Sequence, residues 1–194
     1  CQRVGHSNSD PLRLESTLMK KATVLILPGW QGSGPLHWQM RWVALYGDVV
    51  VEQHDWMRPL RGDWLSRLDE VVSDVCGPIY LVAHSLGCIQ VAAWANISKQ
   101  THRVKAALLV APGDVEAPAF KDVLSSWRPI CLQPLPFKSI LLGSQNDPHC
   151  TLARSKFFAK SWGSDWIDIG PKGHLNADSQ LGDWPEAHDF LNQL

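Results

Sequence analysis

Ile79-Tyr80-Leu81-Val82-Ala83-His84-Ser85-Leu86-Gly87 is the stretch whose reading decides the fold. Ile79–Ala83 is a continuous apolar run, as expected of a strand buried on both faces. Leu86–Ile97 then reads as a helix, so strand passes to helix across Ser85. A serine in that setting sits on a strained turn, the nucleophile elbow, which presents its oxygen above the sheet at a helix N-terminus. The turn needs small residues two positions before and two after the serine. Gly87 meets that need fully. Ala83 stands where glycine is usual and leaves the turn more crowded. The competing reading of the same string is an ordinary serine N-cap.

Outward from this stretch, Ala22–Leu27, Val49–His54, Val104–Ala111, Ser139–Gly143 and Asp165–Ile169 read as further strands. Gly34–Tyr46, a segment capped by Asp63 and running to Val75, Thr151–Trp162 and Pro185–Leu194 read as helices. The alternation predicts right-handed crossovers and a three-layer α/β architecture: about six mostly parallel strands with helices on both faces. Pro112–Pro136 carries prolines at 112, 118, 129, 134 and 136. It is expected to form an excursion between the fourth and fifth strands, a minimal cap over the site. Residues 1–18 lack hydrophobic periodicity and precede Met19-Lys20-Lys21, so they are expected to be an N-terminal extension to a single domain, 19–194.

Composition narrows the function classes. At 194 residues with 45% hydrophobic content the chain suits one domain with a sizeable core. A net charge of −1, without long Lys/Arg runs, favours neither nucleic acid nor an anionic membrane surface as partner. The longest apolar runs fall well short of the roughly 20 residues of a membrane helix, and no signal-peptide layout is visible. A cytoplasmic enzyme acting on a small molecule is expected, and nothing sets an oligomeric state. Cys1, Cys76, Cys88, Cys131 and Cys150 are scattered, with no CxxC or Cys/His ligand spacing. They read as reduced thiols rather than a metal site or a disulfide framework.

Ser85 needs a base to take its proton and an acid to orient that base. On this kind of sheet both follow the serine, acid first, on loops at the carboxyl ends of later strands. The fifth strand runs into Ser144-Gln145-Asn146-Asp147-Pro148 and the sixth into Gly170-Pro171-Lys172-Gly173-His174. Asp147 and His174 are therefore the candidate acid and base. Asp114 after the fourth strand is the rival acid, and Asp55 is weaker because it precedes the serine. His149 and His188 are the rival bases.

An oxyanion hole needs backbone N–H groups fixed where negative charge develops. Leu86 and the glycine-rich loop Pro28-Gly29-Trp30-Gln31-Gly32-Ser33-Gly34 supply candidates, with Trp30 chosen and Gln31 next. The loop lacks the Lys-Ser/Thr ending of a phosphate-binding loop. Ten tryptophans are many for this length. Trp56 and Trp127, like Trp30, fall near the carboxyl edge, where such sheets bind ligands, and are expected to line an acyl pocket. Trp38, Trp42, Trp64 and Trp94 lie in helices and read as core.

Together the Leu27-Pro28-Gly29-Trp30 loop, His84-Ser85-Leu86-Gly87, Asn146-Asp147-Pro148 and Gly173-His174-Leu175-Asn176 resemble the small α/β-hydrolases of the YdeN and retinoblastoma-binding protein nine type. The resemblance runs from about Ala22 to the C-terminus. It implies the α/β-hydrolase fold without a large lid, no metal or organic cofactor, and a serine hydrolase triad falling on Ser85, Asp147 and His174. A Leu-x-Cys-x-Glu segment for binding a retinoblastoma protein is absent. The expected chemistry is acyl transfer on small carboxylic esters, thioesters or aryl amides. The alternative is a binding or regulatory protein on the same scaffold with little catalytic activity.

Overall fold

Six strands form where the apolar runs lie: β1 (Thr23–Leu27), β2 (Val49–Val50), β3 (Ile79–His84), β4 (Val104–Val110), β5 (Lys138–Gly143) and β6 (Asp165–Asp168). They pair in parallel in the order β2-β1-β3-β4-β5-β6, in a computed structural model that describes residues 21–194. The expected extension over 1–18 lies outside the described residues. The helices are α1 (Trp38–Tyr46), α2 (Arg61–Asp74), α3 (Leu86–Ile97), α4 (Leu152–Trp162) and α5 (Pro185–His188). No helix among the described residues is long and apolar enough to cross a membrane.

β1, β3, β4 and β5 are largely apolar because both faces are covered, and successive residues alternate between two cores. Leu25, Leu27, Leu81, Ala83, Leu109 and Leu141 face one side, with Trp64, Leu68, Trp94 and Phe158 of α2, α3 and α4. Ile26, Val82, Leu108, Val110 and Leu142 face the other, with Trp38 and Trp42 of α1 and with Trp184. The helical tryptophans Trp38, Trp42, Trp64 and Trp94 are all buried, as expected.

Several boundaries depart from expectation. The second strand stops at Val50 because only its first residues find a partner. Val51 makes one further bond to Ile26, and the chain then turns, with the Asp55 carboxylate accepting from the amides of Met57 and Arg58. α1 begins at Trp38, where the His37 ring accepts from the Gln39 amide and takes the capping role. α2 begins at Arg61 with Leu60 at its cap, so Asp63 lies inside the first turn, where its charge still favours the helix dipole. The α-helical part of the last segment ends at His188 and tightens into a 3-10 turn.

The elbow depends on one close approach. A Cβ on Gly87 would lie 2.3 Å from the Leu27 carbonyl oxygen and 3.2 Å from that of Pro28. Backbone cannot swing aside as a side chain can. Gly87→Ala is therefore expected to cost about 3 kcal/mol, the upper part of the usual overpacking range. It should appear as a lower urea midpoint with an unchanged slope.

Candidate active site

Ser85 sits between β3 and α3 with φ 55° and ψ −120°, a conformation that side chains rarely adopt. Its amide bonds to the Val110 carbonyl at 3.1 Å and its carbonyl accepts from Cys88 at 3.0 Å, which holds the turn. Those bonds offset a strain of roughly 1–3 kcal/mol. The Ser85 side chain makes no capping bond to α3, so the ordinary N-cap reading does not describe it.

The two later loops bring their residues to this hydroxyl. His174 Nε2 lies 2.8 Å from Ser85 Oγ, and His174 Nδ1 lies 2.9 Å from both Asp147 carboxylate oxygens. The Asp147 side chain is 2% exposed and also accepts from the His149 amide at 2.8 Å. A buried carboxylate between two donors fixes the proton on Nδ1, leaving Nε2 free to accept from a serine hydroxyl.

The His174 loop is fastened at successive residues. The Gly173 amide donates to Asn146 Oδ1 at 2.7 Å. His84 Nε2 donates to the His174 carbonyl at 2.8 Å, and Trp38 Nε1 donates to that of Leu175 at 2.8 Å. Leu175 has φ 49°, so these bonds hold a turn its side chain disfavours. Because a carbonyl can only accept, His84 carries its proton on Nε2. Burial, and then the nearby His174 charge, hold its pKa well below the ordinary histidine value.

The rivals are placed elsewhere. Asp114 is gripped by Arg154, whose Nε and Nη2 donate to its two oxygens at 2.9 and 3.0 Å. Arg154 also donates to Glu116 at 2.9 Å. Asp55 closes an exposed turn. His188 stacks on Tyr46 at 3.8 Å. Two thiols lie nearby, but burial raises Cys88 and pushes Cys150 up to about 12, so both stay protonated and weakly nucleophilic.

Ser85 opens into a cavity of about 390 Å³. Trp30, Leu86 and Gly113 lie in its wall, and Val115, Phe120 and Leu124 of the 112–136 excursion form an apolar flank. A Cβ on Gly29 would lie 2.9 Å from that of Ser85 and 3.4 Å from the Leu86 nitrogen, so only glycine lets the first loop pass this close. Neither the Trp30 nor the Leu86 backbone amide bonds to a described residue, whereas that of Gln31 donates to the Trp56 carbonyl at 3.0 Å.

Trp56 and Trp127 are not among the walls of this cavity. Trp127 is 1% exposed and donates its indole N–H to the Pro59 carbonyl at 2.7 Å. Trp56, Trp64 and Trp127 form an edge-to-face series at 5.6 and 5.8 Å behind the loops. Burying a large ring contributes about 4–6 kcal/mol gross, which outweighs leaving it at an open wall.

His37 and His84 were not singled out by sequence reasoning. The rings of His37, His84, His174 and His149 follow one another with centroids 4.8, 4.9 and 4.6 Å apart. Burial pushes His37 down to about 4, and among the described residues no such group is arranged to hold a metal ion. Their only sequence signal is adjacency: His84 precedes Ser85, and His37 precedes the first residue of α1.

A protein-family model described as serine hydrolase matches residues 24–193. None of the curated proteins matches the sequence. Among solved structures the chain is similar to a protein described as a YdeN-like hydrolase from Pectobacterium atrosepticum. They share 24% identity over 89% of each chain, with a TM-score of 0.78. It is also similar to the ydeN gene product of B. subtilis, with 19% identity over 89% of this chain and 97% of that one, TM-score 0.71. Mouse alpha/beta hydrolase domain-containing protein 10 shares 18% identity over 90% of each chain, TM-score 0.63. At these identities the likeness is one of fold, and the fold is that of the α/β-hydrolases.

Proposed function

Because the chain belongs to the serine hydrolase family, we propose that it hydrolyses small carboxylic esters, thioesters or aryl amides by acyl transfer through Ser85, His174 and Asp147. One observation carries this reading: the unbroken hydrogen-bond series from Ser85 Oγ through both nitrogens of His174 to the buried Asp147. Nε2 accepts the serine proton as Oγ attacks the substrate carbonyl, and Asp147 stabilises the imidazolium that forms. Nε2 then protonates the leaving alcohol, thiol or amine. Water, deprotonated by the same nitrogen, attacks the acyl-serine and releases the carboxylic acid.

The free amides of Trp30 and Leu86 are the proposed oxyanion donors, each contributing about 3 kcal/mol to the transition state. A small acyl group is supported by the cavity's volume, near the lower end of the usual pocket range, and by its flank of Val115, Phe120 and Leu124. A small-molecule acyl substrate and the cytoplasmic setting expected from composition are part of the same proposal.

A fluorophosphonate probe tests it. Folded wild-type protein is expected to be labelled, and Ser85→Ala is expected to abolish labelling. A folded wild type that resists the probe would sink the hydrolase reading and favour a binding protein on the same scaffold.

A further inference from the structure

The cavity holding Ser85 has a larger neighbour. A groove of about 1030 Å³ lies along β6 and α5, and the two spaces share His149, His174, Asn176 and Asp178 in their walls. The cavity has the apolar flank already described; the groove carries Asp168, Lys172, Gln180 and Glu186 beside the apolar Leu181 and Phe190. The proposed reaction gives the two spaces a direction. His174 hands its proton to the departing group, so that group lies on the His174 side of Ser85, towards the shared wall.

His149 stands at that junction. Its backbone is fixed twice, donating to Asp147 Oδ1 at 2.8 Å and accepting from the Asp114 amide at 3.0 Å. Its exposed ring stands edge-on to His174 at 87° and lies 5.5 Å from Phe120. Neither ring nitrogen bonds to a described residue. Burial, and then the charge of His174, lower its pKa, which favours the neutral ring, and a neutral imidazole has one N–H to donate.

We infer that His149 is a specificity-determining residue for the leaving group. Its ring N–H takes up a hydroxyl or carbonyl oxygen on a polar alcohol portion lying at the mouth of the groove. The preferred substrates are then esters joining a small acyl group to an oxygen-rich alcohol. This rests on the hydrolase reading and goes beyond it by assigning the two sides of the scissile bond to two spaces.

Three acetates test the assignment: glyceryl monoacetate, propyl acetate, and p-nitrophenyl acetate, whose phenolate leaves without a proton. His149→Phe keeps a flat ring and removes the N–H, and His149→Gln restores a donor. One lost hydrogen bond is worth up to about tenfold. His149→Phe is therefore expected to lower kcat/KM for glyceryl monoacetate about tenfold and leave the other two within about threefold, with His149→Gln recovering most of the loss. An equal fall on all three substrates, or none on any, overturns the inference. Titration of Ser85→Ala with glyceryl monoacetate, followed at the His149 imidazole resonances, reads the contact without turnover. Resonances that move while the wild type turns over no ester keep the subsite and sink the hydrolase reading. Unmoved resonances sink the subsite.

Discussion

His174→Ala is expected to lower kcat on a p-nitrophenyl ester by about 10⁶-fold, the size of loss known for removing a base of this type. A serine hydroxyl is a weak nucleophile until a neighbour takes its proton, and His174 Nε2, 2.8 Å from Ser85 Oγ, is the proposed base. His149 does not substitute for it, because the Ser85 hydroxyl bonds to the His174 ring and not to that of His149. The substitution leaves Asp147 buried with one listener fewer, though the His149 amide still donates to it. A stability cost of about 1–3 kcal/mol is expected from that unpaired oxygen. Circular dichroism and a urea titration separate this from the chemistry. A folded variant retaining more than about a hundredth of wild-type kcat, measured against the 10⁶-fold expectation, would remove His174 from its proposed role.

Asp147→Asn is expected to lower kcat about 10⁴-fold with little change in fold, because it reverses the imidazole tautomer rather than removing the ring. The carboxylate only accepts, so it holds the proton on Nδ1. An asparagine amide in the same place donates to Nδ1, drives the proton to Nε2, and leaves Ser85 facing a donor. Asp114→Asn is the control. Its carboxylate is engaged by Arg154 through two bonds and by its own loop, where the Glu116 amide donates to Oδ1 at 3.2 Å. A loss below tenfold is expected there, of the order of one hydrogen bond. Kinetics on one ester with all three proteins decide it. A collapse in Asp114→Asn with activity kept in Asp147→Asn reverses the assignment of the acid.

The sheet and the elbow were legible because their signals are local. A strand covered on both faces must be apolar at nearly every position, and β1, β3, β4 and β5 each read that way. The order of Asp147 and His174 behind Ser85 was legible for a related reason: each directly follows a strand, and parallel strands deliver their loops to one edge. What failed was non-local. Val49–His54 looks like a strand in isolation, but pairing needs a neighbour, and beyond Val51 none is supplied. Trp127 lies in a proline-rich loop, and nothing in its surroundings distinguishes a pocket wall from a ring sealed over Pro59. Asp63 is a good capping residue one turn from where Leu60 ends up starting the helix. The imidazole series escaped notice because its members lie far apart along the chain. Only the folded sheet sets His37 against His84 and His84 against His174.

The bond from His84 to the His174 carbonyl joins residues 90 positions apart. His84 is also the covalent neighbour of Ser85, so the proposed nucleophile and base share one mooring outside the 112–136 excursion, where the apolar flank resides. Reactivity and selectivity are thereby separable. On the proposed reading, substitutions between Val115 and Leu124 are expected to change which acyl group is admitted while leaving the spacing of Ser85 Oγ and His174 Nε2 in place.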